Sequence, residues 1–311
     1  VSRGLGDVYK RQEYYNKYSV DLLAAINGSP TQGFGYTTLM TNNGKMVNRG
    51  VEITLSGEII RQKDFSWNAS LLYAFNRNKV KHISVQPSLW DSRISMPTSY
   101  LMVGKPLYGI YAYKWAGLNE NGDPQVYDAE NNVTSGPARD YHALVYCGTT
   151  VPIHNASLTN VLRYKGLEFS AMLILDAGHK LRSSNIPSIN MSNGRITSTA
   201  KGIVDRWTQP GDVTDVPRLL FSNDTENFNT HRTELYRYSD LFVYDASNIR
   251  LSNISLAYRV PAHWCKKISL SGARLQFNVE NVATFAFDSK ANYDLGGKVK
   301  PNYVWGLYLN F

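Results

Sequence analysis

In "YVWGLYLNF", residues 303–311, every second side chain is large and apolar. Successive residues of an extended strand point to opposite sides. Tyr303, Trp305, Leu307, Leu309 and Phe311 therefore share one face, and Val304, Gly306, Tyr308 and Asn310 share the other. Tyr303 and Phe311 lie about 26 Å apart at the usual strand rise, close to the height of the apolar band of a transmembrane barrel. The pattern predicts lipid on the odd face, with a ring near each interface, and a lumen on the even face, where Gly306 leaves space.

The same alternation recurs upstream, while helical periodicity is scarce. "VEITLSGEII" (51–60) sets Val51, Ile53, Leu55 and Ile59 against Glu52, Thr54, Ser56 and Glu58. "WNASLLYAF" (67–75), "LEFSAMLIL" (167–175) and "RLQFNVEN" (274–281) read likewise. "NASLTNVLRY" (155–164) and "IRLSNISLAYRV" (249–260) are weaker, and the second shifts phase near Asn253, which predicts a bulge. Such strands run to roughly 9–12 residues, longer than soluble strands and long enough to cross a bilayer at a tilt.

The connections are asymmetric. Arg61–Asp64, Tyr164–Gly166 and Pro261–Lys267 are tight, whereas 27–46, 77–152, 178–243 and 283–301 are long and rich in Gly, Pro, Asn, Asp and Ser. Short turns at one end and long loops at the other mark an outer-membrane barrel. With the last residue in the periplasm, strands 47–60, 65–76, 153–164, 166–177, 244–260, 268–282 and 302–311 alternate in direction. Every tight turn then falls in the periplasm. An even number of crossings must separate 76 from 153. "LYGIYAYKWAG" (107–117) and "YHALVYC" (141–147) could supply that pair, or could form a hairpin within an extracellular insertion. The terminal strand also has the form of the signal read by the outer-membrane insertion machinery, alternating apolar residues with a final Phe.

Composition agrees. Charged residues are only 19% of the chain, and 21 Tyr, 11 Phe and 6 Trp suit β structure beside lipid. The net charge is +8, but Lys and Arg are scattered, which argues against nucleic acid and suits anionic lipid head groups. Cys147 and Cys265 stand far apart in no metal or redox spacing. No stretch approaches the ~18 apolar residues of a membrane-spanning helix. The opening "VSRGLGDVYKRQ" (1–12) lacks an initiator Met and resembles a translated assembly scar, or else a disordered tail. It is set apart from 13–311, which reads as one domain, and the lack of a signal peptide then carries little weight.

A series of motifs, in order, resembles the SusC/RagA family of TonB-linked outer-membrane receptors of Bacteroidetes. They are "NNGKMVNRGVEITLSG" (42–57), "DFSWNASLLYAFNRNKV" (64–80), "VGKPLYGIYAYKWAGLNENGDPQ" (103–125) and "TVPIHNASLTNVLRYKGLEFSAML" (150–173). "DRWTQPGDVTDVPRL" (205–219), "YDASNIRLSNISLAYRVP" (244–261), "LQFNVENVATF" (275–285) and the terminal strand complete it. The resemblance implies an all-β transmembrane antiparallel barrel, here the C-terminal part of a roughly 22-stranded plugged barrel. The plug, the TonB box and the first half of the barrel are then expected elsewhere in a longer protein. It further implies active import of oligosaccharides or peptides across a Gram-negative outer membrane. A SusD-like surface lipoprotein serves as lid, and TonB acts through the N-terminal region. Neither cofactor nor metal is implied. Rival readings are a siderophore or vitamin receptor, a passive porin, and a surface β protein.

No catalytic constellation appears, so an enzyme is not expected. The six histidines are dispersed. "GDPQVYDAENN" (122–132) lacks the Ca-loop pattern and reads as an exposed turn, and "DRWTQPGD" (205–212) as a Pro-Gly turn anchored by Trp207. Since aromatic rings stack on sugar faces, Trp90, Tyr100, Tyr127 and Tyr141 are candidate ligand or lid contacts.

Overall fold

The computed structural model describes residues 8–27, 38–83, 102–136, 140–191, 200–221, 231–296 and 300–311. In chain order the strands begin with β1 (Val8–Asn27), β2 (Thr38–Arg61) and β3 (Phe65–Ile83). The next five are short: β4 (Gly109–Tyr113), β5 (Trp115–Leu118), β6 (Pro124–Tyr127), β7 (Val133–Thr134) and β8 (Leu144–Thr149). A long pair follows, β9 (His154–Tyr164) and β10 (Leu167–Ala177). Then come β11 (Lys180–Arg182), β12 (Asn190–Met191), β13 (Leu220–Phe221) and β14 (Val243–Asp245). The last three are β15 (Asn248–Arg259), β16 (Gly272–Ala286) and β17 (Asn302–Asn310).

Eight of these strands form one antiparallel sheet in the order β1-β2-β3-β9-β10-β15-β16-β17. It is a wall whose neighbours are always consecutive long strands. Tight connections join β2 to β3, β9 to β10 and β15 to β16 at one end, and every long connection lies at the other. Because β3 pairs directly with β9, Phe65 opposite Tyr164 and Phe75 opposite His154, no crossing intervenes between them. The ambiguous segments are thus resolved: β4 and β8 pair with each other in a separate two-stranded sheet within the insertion.

Strand phases follow the sequence, and boundaries differ. β2 and β3 run beyond 47–60 and 65–76 because paired strands can continue past the bilayer into water. The expected loop 27–46 shrinks accordingly, since its ends belong to β1 and β2. β16 starts at Gly272 rather than 268, as the turn before it holds a short helix, Ala262–Lys266, pinned by buried Cys265. The bulge near Asn253 is present, with register shifts between Leu251 and Asn253 against β16 and between Met172 and Leu173 against β10. β1 was not expected as a strand. It includes residues 8–12, where Val8 lies opposite Gly57 and Gln12 opposite Ile53.

A single sheet cannot bury side chains on both faces, so the apolar core lies in the loop block. Tyr113, Val126, Ala143 and Leu235 form one buried cluster, and Ile189, Tyr236 and Phe242 form another. Trp115 packs against both and joins them. Tyr236 meets Phe242 edge to face at 4.9 Å, a favoured aromatic geometry.

Candidate functional site

The outer face of the wall is built from the odd phase of the terminal strand. Register places Trp305 opposite Phe277, Phe277 opposite Leu256, Leu256 opposite Phe169, Phe169 opposite Leu162 and Leu162 opposite Trp67. This is one continuous apolar row around six strands. A second row runs Leu251, Leu173, Leu158, Leu71 and Leu55. The Trp305 and Phe277 ring centroids are 4.2 Å apart. Trp305 is 78% exposed and Phe311 91%, and Tyr303, Leu307 and Leu309 are also exposed. An unbroken apolar surface of this size is stable only against lipid or another apolar partner. Two polar pairs on this face are satisfied within it: the Trp67 indole N–H donates to Asn160 Oδ1 at 3.1 Å, and Tyr73 Oη lies 2.9 Å from His154 Nδ1.

The inner face is polar and cross-linked. Arg163 Nε donates to Glu168 Oε2 at 2.7 Å, and Arg274 reaches the other oxygen of the same carboxylate at 3.3 Å. Asn155 and Arg250 both approach Asp176, at 2.7 and 3.5 Å. Gly306 opens this face as expected, and the Tyr308 ring fills the space: a Cβ at 306 would stand 3.0 Å from it. The sequence reading did not single out the Arg163–Glu168–Arg274 group. Its signal was present, since charged residues occupied the polar phase of three alternating strands.

Above the wall, the loop block is tied together by Asp123. Its carboxylate accepts from Arg218 Nη2 at 2.9 Å and from Arg232 Nε at 3.1 Å. Arg232 is 0% exposed and also donates to the carbonyls of Ile189 and Arg218 and to Asn190 Oδ1. Burial lowers its guanidinium from the usual value, and Asp123 opposes that shift. Arg182 donates to the carbonyls of Tyr111, Arg237 and Ser239, and burial lowers its pKa to about 10. Burial likewise raises the Cys147 thiol to about 11. Residues 205–212 form the expected Pro-Gly turn, closed by Thr208 and Gln209 onto Asp212. Those bonds hold the Asp212 carboxyl below its ordinary value. Trp207 lies against Gly122, whose φ of +75° and the 2.4 Å between a Cβ there and the indole leave room for glycine alone. An open groove of about 770 Å³ separates Leu118–Asn121 from Trp207 and Pro210–Thr214.

Of the candidate contacts, Trp90 and Tyr100 lie outside the described residues. Tyr127 sits in β6, with the Lys114 ammonium 4.5 Å from its ring centroid. Tyr141 opens the short 3-10 turn Tyr141–Ala143. Among the described residues no group of three or more His, Cys, Asp or Glu could hold a metal ion, and no helix is long and apolar enough to cross a membrane.

No family model matches the chain. It is 24% identical over 294 residues to TonB-dependent receptor P3 of Formosa agariphila, a match covering 88% of this chain and 28% of that protein. TonB-dependent receptor P26 of the same organism is 27% identical over 286 residues, covering 86% of this chain and 27% of its own length. The chain therefore spans under a third of the curated relatives it matches. The structure of the RagAB peptide transporter has the same fold, with a TM-score of 0.73 at 21% identity over 98% of this chain and 33% of that one. The RagAB importer in its open-open state gives 0.71. The resemblance to TonB-dependent receptors and the transmembrane β-barrel fold are both borne out. The chain is a stretch of outer-membrane barrel wall.

Proposed function

We propose that this chain is the C-terminal part of the barrel of a SusC/RagA-type receptor that imports oligosaccharides or peptides across the outer membrane. The observation that carries the reading is the two-faced wall. Its outside is a continuous apolar belt and its inside a hydrogen-bonded polar surface. Short turns close one end and a packed loop block the other. A wall of this kind separates lipid from a hydrophilic lumen. The curated relatives are named TonB-dependent receptors and the structural neighbours are titled peptide transporter and importer, which supports energised uptake over a passive pore.

In this reading TonB acts through a plug outside the chain, and a SusD-like lipoprotein closes over the loop block. The groove beside Trp207, with Tyr127 and Tyr141 in the same block, is the surface offered to cargo or lid. The terminal strand, through Tyr303, Trp305, Leu307, Leu309 and Phe311, is read by the insertion machinery and then closes the barrel. In this reading residues 13–311 are the barrel portion, and of the opening 1–12, read from sequence as foreign or a tail, residues 8–12 continue β1.

Uptake of labelled oligosaccharide or peptide pools by cells carrying the full-length receptor tests this. Accumulation should require TonB. Equal flux with TonB deleted would replace this reading with a passive porin.

A further inference from the structure

The outer face of β2 and β3 changes character just above its aromatic row. From Leu55 to Val47 on β2 and from Leu71 to Lys79 on β3 the register runs without a shift, so the odd residues all face outward. The cross-strand pairs are Leu55–Leu71, Ile53–Tyr73, Val51–Phe75, Arg49–Arg77 and Val47–Lys79. Two arginines thus stand directly opposite each other, with a lysine one row above. Like charges so placed repel and destabilise a sheet.

Among the described residues, nothing in the wall neutralises them. Arg49 Nε reaches only Asn16 Oδ1, a neutral acceptor, at 3.1 Å. Among the described residues, Arg49, Arg77 and Lys79 make no ion pair, and all three are exposed. On β1 the neighbours in these rows are Asn16 and Tyr18, not carboxylates.

Depth identifies the missing partner. From Phe65 to Phe75 the outer face of β3 runs about 33 Å along the strand, which at a barrel tilt of about 40° matches the roughly 25 Å height of the apolar band, and Arg77 is the next outward residue, about 5 Å higher. That is head-group depth. It lies at the end carrying the long loops, hence the outer leaflet, where the lipids are phosphorylated glycolipids. An arginine fork suits a phosphate, and a flanking lysine adds a point charge.

We infer that Arg49, Arg77 and Lys79 form a binding site on the outer wall for the phosphate groups of an outer-leaflet glycolipid. The inference rests on the barrel orientation proposed above. A bound lipid of this kind would hold the receptor at a fixed depth and offset the repulsion between the arginines.

The test uses the full-length receptor, folded and heat-modifiable, in phosphatidylethanolamine nanodiscs containing lipid A or its dephosphorylated form. Native mass spectrometry counts the bound glycolipid. Wild type should prefer the phosphorylated form on the order of a hundredfold, as expected of three basic residues at a charged surface. Arg49→Gln/Arg77→Gln/Lys79→Gln should abolish the preference. Lys165→Gln/Lys267→Gln, at the opposite end of the wall, should keep it. Equal binding of both lipids by wild type, or full preference in the triple variant, would overturn the inference. Inorganic phosphate binding as tightly as lipid A would overturn the assignment to a lipid. Should the triple variant not fold, the wild-type comparison decides alone. Loss of the heat-modifiable outer-membrane band in wild type would instead count against the barrel reading.

Discussion

Arg232 Nε and Asp123 Oδ1 meet at 3.1 Å across 109 residues of sequence, with Arg232 fully buried. The pair joins the β5-β6-β7 sheet to the helix Arg232–Arg237, and Arg218 adds the segment before β13 to the same carboxylate. Removing one partner of a buried ion pair leaves an uncompensated charge and costs about 3–5 kcal/mol. Asp123→Ala should therefore unfold the loop block locally. Hydrogen exchange should accelerate over 115–127, 218–221 and 231–237, while the wall strands and their heat-modifiable band stay unchanged.

The two faces of β9 predict opposite responses to charge. Leu158 lies in the outer leucine row, whereas its neighbour Ser157 faces the polar interior opposite Leu72 and Ile174. Arginine on a lipid face near the midplane costs about 2–4 kcal/mol. Leu158→Arg should lower stability by that amount in urea titrations of the reconstituted full-length receptor. Ser157→Arg should change it little.

Asp245 gives a pH dependence. Burial alone would raise its carboxyl, but hydrogen bonds from Ser247 and Lys180 outweigh burial and hold it at about 2, against an ordinary 3.8. A depressed pKa contributes stability that is fully present above the unfolded value and is lost as pH falls through the folded one. The β11–β14 pairing should thus loosen between about pH 4 and about pH 2. Ser247→Ala should move that loss to higher pH, read by amide exchange at 180–182 and 243–245.

Cys147 should be a slow thiol. Only the thiolate is nucleophilic, and a rise from 9.0 to about 11 reduces its fraction near neutral pH. Alkylation at pH 8 should be about a hundredfold slower in the folded protein than in urea. Comparable rates would show that this part of the loop block is open.

The wall was legible because one of its faces meets lipid and the other water, which writes a period of two into β2, β3, β9, β10, β15, β16 and β17. β1 escaped notice because its outer phase alternates poorly: Lys10, Gln12 and Asn16 share a face with Tyr14 and Tyr18. Strand ends were misjudged where β2 and β3 leave the bilayer and lose that contrast. The loop block was opaque for a different reason. Residues Gly109–Tyr113 are buried throughout, so no alternation marks them. The Asp123 node depends on residues about a hundred positions apart, each unremarkable locally. Of the candidate contacts only Tyr127 and Tyr141 fall within described residues, and aromatic content alone could not rank them. The arginines of the outer wall became visible only once register set Arg49 opposite Arg77.

The orientation of the wall is the claim on which the rest depends, and cysteine labelling in intact cells tests it most directly. In a full-length receptor with Cys147 and Cys265 replaced by Ser, single cysteines would be placed at Val213, Lys165 and Leu158. Val213 is fully exposed in the loop block, Lys165 sits in the β9–β10 turn, and Leu158 lies in the lipid row. The account predicts that an impermeant maleimide labels Val213→Cys on intact cells and Lys165→Cys only after the outer membrane is opened. Leu158→Cys should resist it in both cases. Labelling of Lys165→Cys on intact cells with Val213→Cys protected, or ready labelling of Leu158→Cys, would contradict it.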